Sequence, residues 1–497
     1  MGKNVLLVVS DQERQRDWLP ADVPLPHRER LLAAGLEFTR HHTHTSPCSP
    51  SRASLFTGQY MAQHGVTENA VGPGNTELPT TATTLGNLLR EQGYTTAFKG
   101  KVHLQATESP DMEAFGFGDW VGNDKSYWGL PGSGVEYDEP IALDAGDWIR
   151  AHADDGDPWF LAVGLVNPHD IMWFPVDQPW WHEANPTTGA TVRAVLNAMP
   201  WGREENLPLY PFEIPERFTE LPANFDDDLH TKPEVQRRWV YEMDRRQMAG
   251  GRLAADDSSA WLRQLDYYAH LHELSDQSLG HILAALDDAD AWDDTVVIFT
   301  ADHGDQCGSH KLRSKGPWNY DETMRIPLYV VAPGMTPPGS RCDALTSHVD
   351  LAATVAELGG VDLADSPTLV GTSLAPLFSD PGGSIQDHVL FAQDWPWYPG
   401  VEQTRYASSG IFDGRFKYCR YYGIGGGADV AGNRFDGPKA FDLDADFDDF
   451  DHELYDLQED PHELVNLALD RARRDELRRR FAELNALERV AYAPLPD

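Results

Sequence analysis

The sequence predicts an α/β fold, in which a large mixed, mainly parallel sheet is flanked by helices. Short apolar runs rich in Val, Ile and Phe alternate with segments of helical period, and this alternation is typical of such folds. The runs are continuously apolar, which indicates strands that are buried on both faces. The 497 residues, 41% of them apolar, are enough for a large core.

Five strands and three helices follow from these patterns. The strands are predicted at Val5–Ser10, Thr95–Gly100, Trp159–Val166, Thr295–Thr300 and Pro327–Ala332, and the helices at Thr83–Gln92, Trp261–Leu286 and Leu351–Leu358. Four of the strands are followed within two residues by a polar side chain, namely Asp11, Lys101, Asn167 and Asp302. Because ligands in open α/β sheets bind at the carboxyl ends of strands, we expect these side chains to share one edge of the sheet.

Two domains of unequal size are predicted. Residues 1–384 form the larger domain, in which residues 173–256 are rich in Pro, Trp and acidic residues and form an insertion near a substrate entrance. Residues 385–497 form a smaller C-terminal α+β subdomain with an antiparallel sheet. This sheet contains Val389–Gln393 and a hairpin that turns at Asp413-Gly414, and a terminal helix covers Arg471–Arg489.

Charge and composition exclude several classes of function. The chain has 79 acidic and 40 basic residues, a net charge of −39, whereas nucleic-acid binding needs clustered Lys and Arg. No run approaches the roughly 18 to 20 apolar residues that cross a membrane, and no signal peptide precedes the first strand. We therefore expect a cytoplasmic protein without nucleic-acid or membrane partners. Four cysteines do not make a disulfide framework.

Carboxylates at the ends of two strands predict a metal site. Asp11 follows the first strand and stands beside Gln12, and a carboxylate with an amide oxygen suits a hard divalent cation. Asp302 and His303 follow another strand and complete the ligand set if the two strands are neighbours. The nitrogen of His303 makes the set less specific for calcium and admits manganese. The alternative is that the aspartates cap turns, as aspartates after strands commonly do.

Basic side chains occur in three further segments. Lys101 and His103 stand just beyond a strand, where an ammonium stabilises an anion and a histidine transfers protons near neutral pH. His169 follows Pro168 after a core strand and suits a general acid or an oxyanion contact. Lys315 suits a sulfate or phosphate oxygen as a point charge. Taken singly, each of these residues is more often an ordinary surface or loop residue.

The most informative segment is the run from Pro47 to Gly58, Pro-Cys-Ser-Pro-Ser-Arg-Ala-Ser-Leu-Phe-Thr-Gly. This run resembles the signature of the type I sulfatases of the alkaline phosphatase superfamily. The resemblance implies that a maturation enzyme oxidises Cys48 to formylglycine (3-oxoalanine), whose hydrated aldehyde attacks sulfur. The resemblance includes the segments described above and continues as far as Glu453–Pro461. It implies an alkaline phosphatase-like fold.

The resemblance implies a metal site at which the hydrated aldehyde at position 48 joins four protein ligands, Asp11, Gln12, Asp302 and His303. Many sulfatases have two adjacent aspartates in place of Asp11-Gln12, and Asp-Asn in place of Asp302-His303. The variants in this sequence resemble the branch that contains choline sulfatases and phosphonate monoester hydrolases. Calcium is the expected metal, and manganese and magnesium are the alternatives.

The resemblance also implies roles for the basic side chains. Arg52 and Lys101 would hold the aldehyde hydrate and stabilise its charge. His103 would take a proton from this group when the sulfated intermediate collapses. His169 and Lys315 would bind sulfate oxygens and help the leaving alcohol to acquire its proton.

The sequence thus predicts an arylsulfatase-like sulfuric ester hydrolase, which cleaves a small sulfate monoester to an alcohol and sulfate. The alternatives are a phosphonate monoester or phosphodiester hydrolase of the same superfamily and, more remotely, a non-catalytic binding protein on the same fold. The expected partners are the sulfate ester and a formylglycine-generating maturation enzyme. The sequence leaves the ester and the oligomeric state open.

Overall fold

The computed structural model describes residues 2–71, 76–197, 213–246, 253–395, 404–423 and 445–495. The strands are β1 Asn4–Asp11, β2 Leu36–Phe38, β3 His41–His42, β4 Thr95–Gly100, β5 Trp159–Pro168, β6 Thr295–Ala301, β7 Leu328–Val331, β8 Ser340–Cys342, β9 Thr346–Ser347, β10 Val389–Asp394, β11 Ala407–Phe412, β12 Phe416–Tyr422 and β13 Asp451–Asp456. The α-helices are α1 Pro26–Ala34, α2 Cys48–Thr57, α3 Met61–His64, α4 Leu85–Glu91, α5 Asp124–Tyr127, α6 Ser133–His152, α7 Pro179–Ala184, α8 Pro186–Asn197, α9 Glu234–Arg246, α10 Ser258–Asp288, α11 Asp321–Met324, α12 His348–Leu358, α13 Ala375–Ser379 and α14 Arg474–Ala491. Within the described ranges, no helix has both the length and the apolar character needed to cross a membrane.

The largest sheet confirms the predicted α/β architecture. Its seven strands lie in the order β4-β5-β1-β6-β7-β2-β8. Strands β4, β5, β1 and β6 are parallel neighbours, whereas β7 is antiparallel to both β6 and β2. Strand β2 pairs in parallel with β8. The sheet is therefore mixed and mainly parallel, and all five predicted strands lie in it.

Strand β1, in the middle of this sheet, shows why its sequence is continuously apolar. Val5, Leu7 and Val9 pack into a hydrophobic core on one face of the sheet, and Leu6 and Val8 pack into a second core on the other face. Successive side chains of a strand point to opposite faces, so a strand between two cores is apolar at every position. Helices α2, α4 and α12 cover the first core, and α6 and α10 cover the second.

Some elements differ from the prediction. Strands β2, β3, β8 and β9 have only two or three residues, too few to show a period. Helix α6 was not singled out; it contains Pro140, and a proline normally predicts that a helix ends before it. Strand β5 continues to Pro168, so Asn167 lies inside the strand instead of after it.

The C-terminal residues form the predicted antiparallel sheet, with the strand order β10-β11-β12-β13. Helix α14 packs Leu477 and Leu484 against one face of it. The predicted turn is present, because Asp413 Oδ1 accepts the N–H of Phe416 at 2.7 Å and Gly414 has a φ of 92°. The boundary between residues 384 and 385 and the role of residues 173–256 stay predictions, and part of that segment lies outside the described residues.

Candidate active site

The carboxyl ends of β1 and β6 place two aspartates side by side. The strands are parallel neighbours with Ser10 opposite Ala301, and Asp302 donates its backbone N–H to the Ser10 carbonyl at 3.1 Å. Asp11 is the last residue of β1, and Asp302 is the first residue after β6. Both carboxylates therefore lie at the same edge of the sheet, as the sequence predicted.

Helix α2 brings two further predicted side chains to these carboxylates. Cys48 is its first residue, and Arg52 stands four residues later on the same face. Arg52 Nε donates to Asp302 Oδ2 at 2.9 Å, and its terminal nitrogen donates to Asp11 Oδ2 at 3.1 Å. One guanidinium thus partly neutralises both carboxylates.

Four potential metal ligands converge at this edge. The ligand atoms of Asp11, Cys48, Asp302 and His303 all lie within 4.8 Å of one another. Cys48 Sγ is 3.6 Å from Asp11 Oδ1 and 3.3 Å from His303 Nε2. His303 Nδ1 lies 2.9 Å from the Gly304 carbonyl, so the proton belongs on Nδ1 and the Nε2 lone pair faces the cluster. Ligating histidines are commonly held in this way, and the donor set fits a divalent cation.

Gln12 lies beside this cluster and connects it to Lys315. Its backbone N–H donates to Asp302 Oδ1 at 3.0 Å, and its carbonyl accepts the Tyr268 hydroxyl at 2.6 Å. The side-chain oxygen Oε1 accepts a hydrogen bond from Lys315 Nζ, and the side-chain nitrogen Nε2 donates to Asp305 Oδ2. The structure thereby brings the predicted lysine of a distant loop into the site.

Asp11 and Lys101 form a buried ion pair. Lys101 Nζ lies 2.7 Å from Asp11 Oδ2, and neither side chain is exposed. Burial by itself raises the pKa of Asp11, but the Lys101 ammonium, helped by the Arg52 guanidinium, brings this pKa well below its usual value. Burial likewise lowers the pKa of Lys101, but the Asp11 carboxylate outweighs it and raises this pKa. Both groups are therefore charged at neutral pH.

The encoded Cys48 side chain is a neutral thiol at neutral pH. Burial is the main reason that its pKa rises to about 12; the Asp11 carboxylate adds to this effect, and Lys315 and Lys101 oppose it. The thiolate is the nucleophilic form of cysteine. The side chain is therefore a poor nucleophile in its encoded form.

A hydrogen bond from its backbone N–H and a contact with an aromatic ring hold His103 in place. Its N–H donates to Asp124 Oδ2 at 3.0 Å, and the Trp128 ring stacks on the imidazole with the centroids 5.4 Å apart. Neither ring nitrogen has a hydrogen-bond partner among the described residues. Burial, with the Lys101 ammonium, lowers the pKa of His103 well below its usual value, so the imidazole is neutral and one nitrogen can accept a proton.

His169 enters the site from the end of β5. A Cβ at Gly129 would come within 2.1 Å of His169 Nδ1, so only glycine allows this approach. Burial, followed by the Lys315 and Lys101 ammonium groups, lowers the pKa of His169 well below its usual value.

All ten predicted side chains lie in one buried group, and none is more than 4% exposed: Asp11, Gln12, Cys48, Arg52, Lys101, His103, His169, Asp302, His303 and Lys315. A cavity of about 460 Å³ lies elsewhere, between Arg14, Trp18 and Phe218, and its lining includes none of the ten. This cavity therefore does not coincide with the candidate site.

Sequence reasoning gave no structural role to the residues that support these side chains. Ser51 Oγ donates to the Asp302 carbonyl at 2.5 Å and lies 3.3 Å from His348 Nδ1. Asp124 holds His103, and Asp305 contacts Gln12. Ser51 stands in the Cys48 run and Asp305 follows His303 by two residues, but their partners lie far away along the chain, so only the fold reveals these contacts.

Comparison with protein families covers the part of the chain that contains these residues. The family model described as sulfatase covers residues 3–361, well over half of the chain. The chain belongs to the sulfatase family. A second model, described as the C-terminal region of N-sulphoglucosamine sulphohydrolase, covers residues 308–429 of this sulfatase-family protein. The resemblance to the alkaline phosphatase superfamily that was predicted from the Cys48 run is confirmed.

Relatives of this sulfatase-family protein include named enzymes. It is 28% identical over 351 residues to the uncharacterized sulfatase YidJ of Escherichia coli (strain K12), a match that covers 67% of this chain and 62% of that protein. It is 25% identical over 552 residues to choline-sulfatase of Rhizobium meliloti (strain 1021), covering 99% and 92%. The solved phosphonate monoester hydrolase of Agrobacterium radiobacter has a TM-score of 0.69 at 23% identity, covering 98% and 96%. This last likeness confirms the fold, and the family and its named members support an enzyme of the sulfatase class.

Proposed function

We propose that this protein is a sulfuric ester hydrolase that cleaves a small sulfate monoester to an alcohol and sulfate. The observation that carries the proposal is the position of the Cys48 side chain, 3.6 Å from Asp11 Oδ1 and 3.3 Å from His303 Nε2. A nucleophile at that point is adjacent to the ligands of a divalent cation. Positive charge held in a buried site stabilises the charge that develops when a sulfate ester is attacked.

The nucleophile would be formylglycine made from Cys48, with Cys48 Sγ standing in for the attacking oxygen. In its hydrated form, formylglycine supplies one hydroxyl for attack at sulfur and a second hydroxyl that lets the aldehyde reform as sulfate leaves. Neighbouring backbone fixes this position: Ser49 donates its N–H to Asn69 Oδ1 at 3.1 Å, and Ala70 donates its N–H to Ser49 Oγ at 3.0 Å.

Asp11, Asp302 and His303 would hold the divalent metal, together with Gln12 and position 48. When bound, the cation supplies the positive charge that polarises the ester and favours an ionised nucleophile. The carboxylate and amide oxygens favour calcium, and manganese and magnesium are the alternatives. Arg52 keeps Asp302 oriented by its hydrogen bond of 2.9 Å.

Lys101 and His103 would handle the charge and the proton at position 48. Lys101 Nζ bridges Asp11 Oδ2 and, at 3.4 Å, the Trp128 carbonyl, which leaves a donor for an oxygen at position 48. His103 is neutral and next to this ammonium, so it is able to accept the proton that the second hydroxyl must lose.

His169 and Lys315 would bind the sulfate oxygens. Lys315 presents an ammonium as a point charge, and it reaches the metal ligands through Gln12. His169 is neutral because burial lowers its pKa, so it retains one N–H for the sulfate or for the leaving alcohol.

Mass spectrometry of the peptide that contains Cys48 tests the nucleophile, using protein made together with a formylglycine-generating enzyme. We expect an aldehyde in place of the thiol and hydrolysis of 4-nitrophenyl sulfate. Cys48→Ala should abolish hydrolysis, whereas Cys342→Ala, which alters a buried thiol in strand β8, should preserve it. Undiminished hydrolysis by the Cys48→Ala variant would overturn the proposal.

Phosphonate monoester hydrolysis is the second candidate. The observation that favours it is the pair Gln12 and His303, which resembles the branch containing the phosphonate monoester hydrolases. The ratio of kcat/KM for 4-nitrophenyl sulfate to kcat/KM for a phenyl phosphonate monoester distinguishes the two activities, and we expect the sulfate to be preferred. The maturation enzyme, the oligomeric state and the cytoplasmic location stay predictions.

A further inference from the structure

Gln12 has an unusual backbone conformation that its neighbours hold in place. Its φ of 66° lies in the left-handed region, which residues other than glycine seldom adopt. The backbone N–H donates to Asp302 Oδ1 at 3.0 Å, and the carbonyl accepts the Tyr268 hydroxyl at 2.6 Å. Such conformations persist where the surroundings fix them, commonly at functional sites. The conformation here determines where the side-chain amide of Gln12 lies.

The two ends of this amide face groups of opposite charge. Gln12 Nε2 donates to Asp305 Oδ2, and Gln12 Oε1 accepts from Lys315 Nζ. The other oxygen of Asp305 accepts the backbone N–H of Cys307 at 2.6 Å. Asp305 and Gln12 are fully buried, and Lys315 is 4% exposed. Both carboxylate oxygens of Asp305 are therefore used as acceptors.

Only one orientation of the Gln12 amide satisfies both neighbours. A carboxylate only accepts hydrogen bonds, and an ammonium only donates them. Rotating the amide by half a turn would place its oxygen against Asp305 and its NH2 group against Lys315. Two buried hydrogen-bond acceptors would then face each other at Asp305, and two donors would face each other at Lys315. Such unsatisfied polar groups are especially unfavourable where water is absent.

We propose that Asp305 is a positioning residue of the metal site. Its carboxylate holds the NH2 end of Gln12, so that the Gln12 oxygen faces Lys315, while the Gln12 backbone N–H contacts the Asp302 ligand. Asp305 acts through Gln12 and is not itself one of the four clustered ligand groups. This inference rests on the proposed function for the identity of the metal site, but metal binding is measurable without any substrate.

Exchanging the amide and the carboxylate between positions 12 and 305 tests the orientation of the Gln12 amide. In Asp305→Asn, the single side-chain oxygen has to serve the Cys307 N–H, so the new NH2 group faces Gln12 and turns the Gln12 oxygen away from the site. In the double variant Gln12→Glu/Asp305→Asn, the NH2 group of position 305 meets one oxygen of position 12, and the other oxygen again faces Lys315. The double variant also keeps the net charge of the site.

The readout is the affinity for calcium and for manganese, measured by calorimetry on the purified full-length protein. We expect Asp305→Asn to weaken metal binding about 10- to 100-fold, as is usual when a group that orients a ligand is lost. The double variant should recover most of this affinity. Unchanged affinity in Asp305→Asn, or a double variant that binds no better than Asp305→Asn, would overturn the proposal.

Two controls separate positioning from general damage. Asp266→Asn changes another buried carboxylate, which accepts the backbone N–H groups of Arg217 and Phe218 at 2.8 and 3.0 Å; it should alter thermal stability but not metal affinity. If Asp305→Asn does not fold, the double variant is compared with Gln12→Glu alone, in which two carboxylates face each other. Tighter metal binding by the double variant supports the proposal, and equal or weaker binding contradicts it. These titrations stand even if no sulfatase activity is found.

Discussion

The candidate active-site edge and the region behind Cys48 are held by opposite kinds of interaction. At the edge, the Arg52 and Lys101 cations contact the Asp11 and Asp302 carboxylates at 2.7 to 3.1 Å, and all four are fully buried. Under the proposed function, these charged groups bind a cation and an anionic ester. Removing one member leaves its partner as an uncompensated buried charge.

Behind Cys48, several contacts are neutral hydrogen bonds to the C-terminal sheet. Ala392 of β10 donates its N–H to the His44 carbonyl at 3.0 Å, and His44 Nδ1 lies 2.9 Å from the Leu390 carbonyl. Gln393 Oε1 accepts the Ser46 hydroxyl at 3.0 Å. These hydrogen bonds hold the segment before Cys48 through uncharged groups.

The comparison teaches that the charged candidate groups and the support behind Cys48 come from different parts of the chain. Substitutions at the edge should reduce turnover or metal binding by large factors. Substitutions in the neutral support should lower the stability of the fold, with a smaller effect on turnover.

The largest expected effect is on turnover at the charged edge. Lys101→Met removes the ammonium from Asp11 Oδ2, and kcat should fall about 10²- to 10³-fold, as for the loss of one preorganised donor. Lys99→Met is the matched control two residues earlier, in strand β4, because Lys99 contacts Asp119 and Asp144 instead. Steady-state kinetics with 4-nitrophenyl sulfate measures both variants, and equal kcat values would contradict the assignment of Lys101.

The next largest effect is expected from metal removal. Because Arg52 and Lys101 already neutralise the carboxylates, the protein should remain folded in a chelator. Calcium at about 100 times its Kd should then raise the free energy of unfolding by about 2.7 kcal/mol. Thermal unfolding with and without calcium measures this shift, and its absence with both calcium and manganese would argue against a metal site.

Among the neutral contacts behind Cys48, His44 should make the free energy of unfolding depend on pH. Burial lowers its pKa from 6.5 to about 4, although the hydrogen bond with the Leu390 carbonyl opposes the shift. The folded state therefore prefers the neutral imidazole, and its stabilisation is complete above pH 6.5 and is lost as the pH falls through 4. Between pH 7 and 5 the free energy of unfolding should fall by about 2 kcal/mol from this residue.

The variant His44→Gln isolates this effect, because other buried histidines titrate in both proteins. Chemical denaturation at several pH values should show a flatter acid slope for His44→Gln than for the unmodified chain. Parallel slopes would mean that His44 does not titrate on unfolding.

The smallest expected effect is that of Gln393. Its Oε1 accepts hydrogen bonds from Ser46, through both N–H and hydroxyl, and from Trp395 Nε1 at 3.1 Å. Gln393→Ala should lower the free energy of unfolding by about 1.5 kcal/mol. Gln458→Ala, at an exposed position, is the control. A kcat loss in Gln393→Ala as large as that of Lys101→Met would remove the distinction between the two regions.

Much of the fold was predictable because its central strands have a recognisable sequence pattern. The continuous apolar runs at β1, β4, β5, β6 and β7 predict buried strands, and the structure has all five. The short strands and helix α6 were not predicted, because two or three residues show no period and Pro140 interrupts a helical pattern.

The ten candidate side chains were also named from the sequence, through the Cys48 run and the polar residues that follow strands. The residues that hold these side chains in place were not predicted from the sequence. Asp305 and Ser51 act on partners roughly 250 to 300 residues away along the chain, and local sequence carries no record of such a contact.

By itself, the sequence determined which residue types are present and which of them end a strand, because burial on both faces forces a continuous apolar run and leaves polar residues at its end. Only the tertiary structure decided which partners they meet. Asp11 and Asp302 share Arg52 because β1 and β6 are adjacent in the sheet. The Gln12 oxygen faces Lys315 because Asp305 takes the other end of the amide, and hydrogen-bond direction depends on neighbours that only folding brings together.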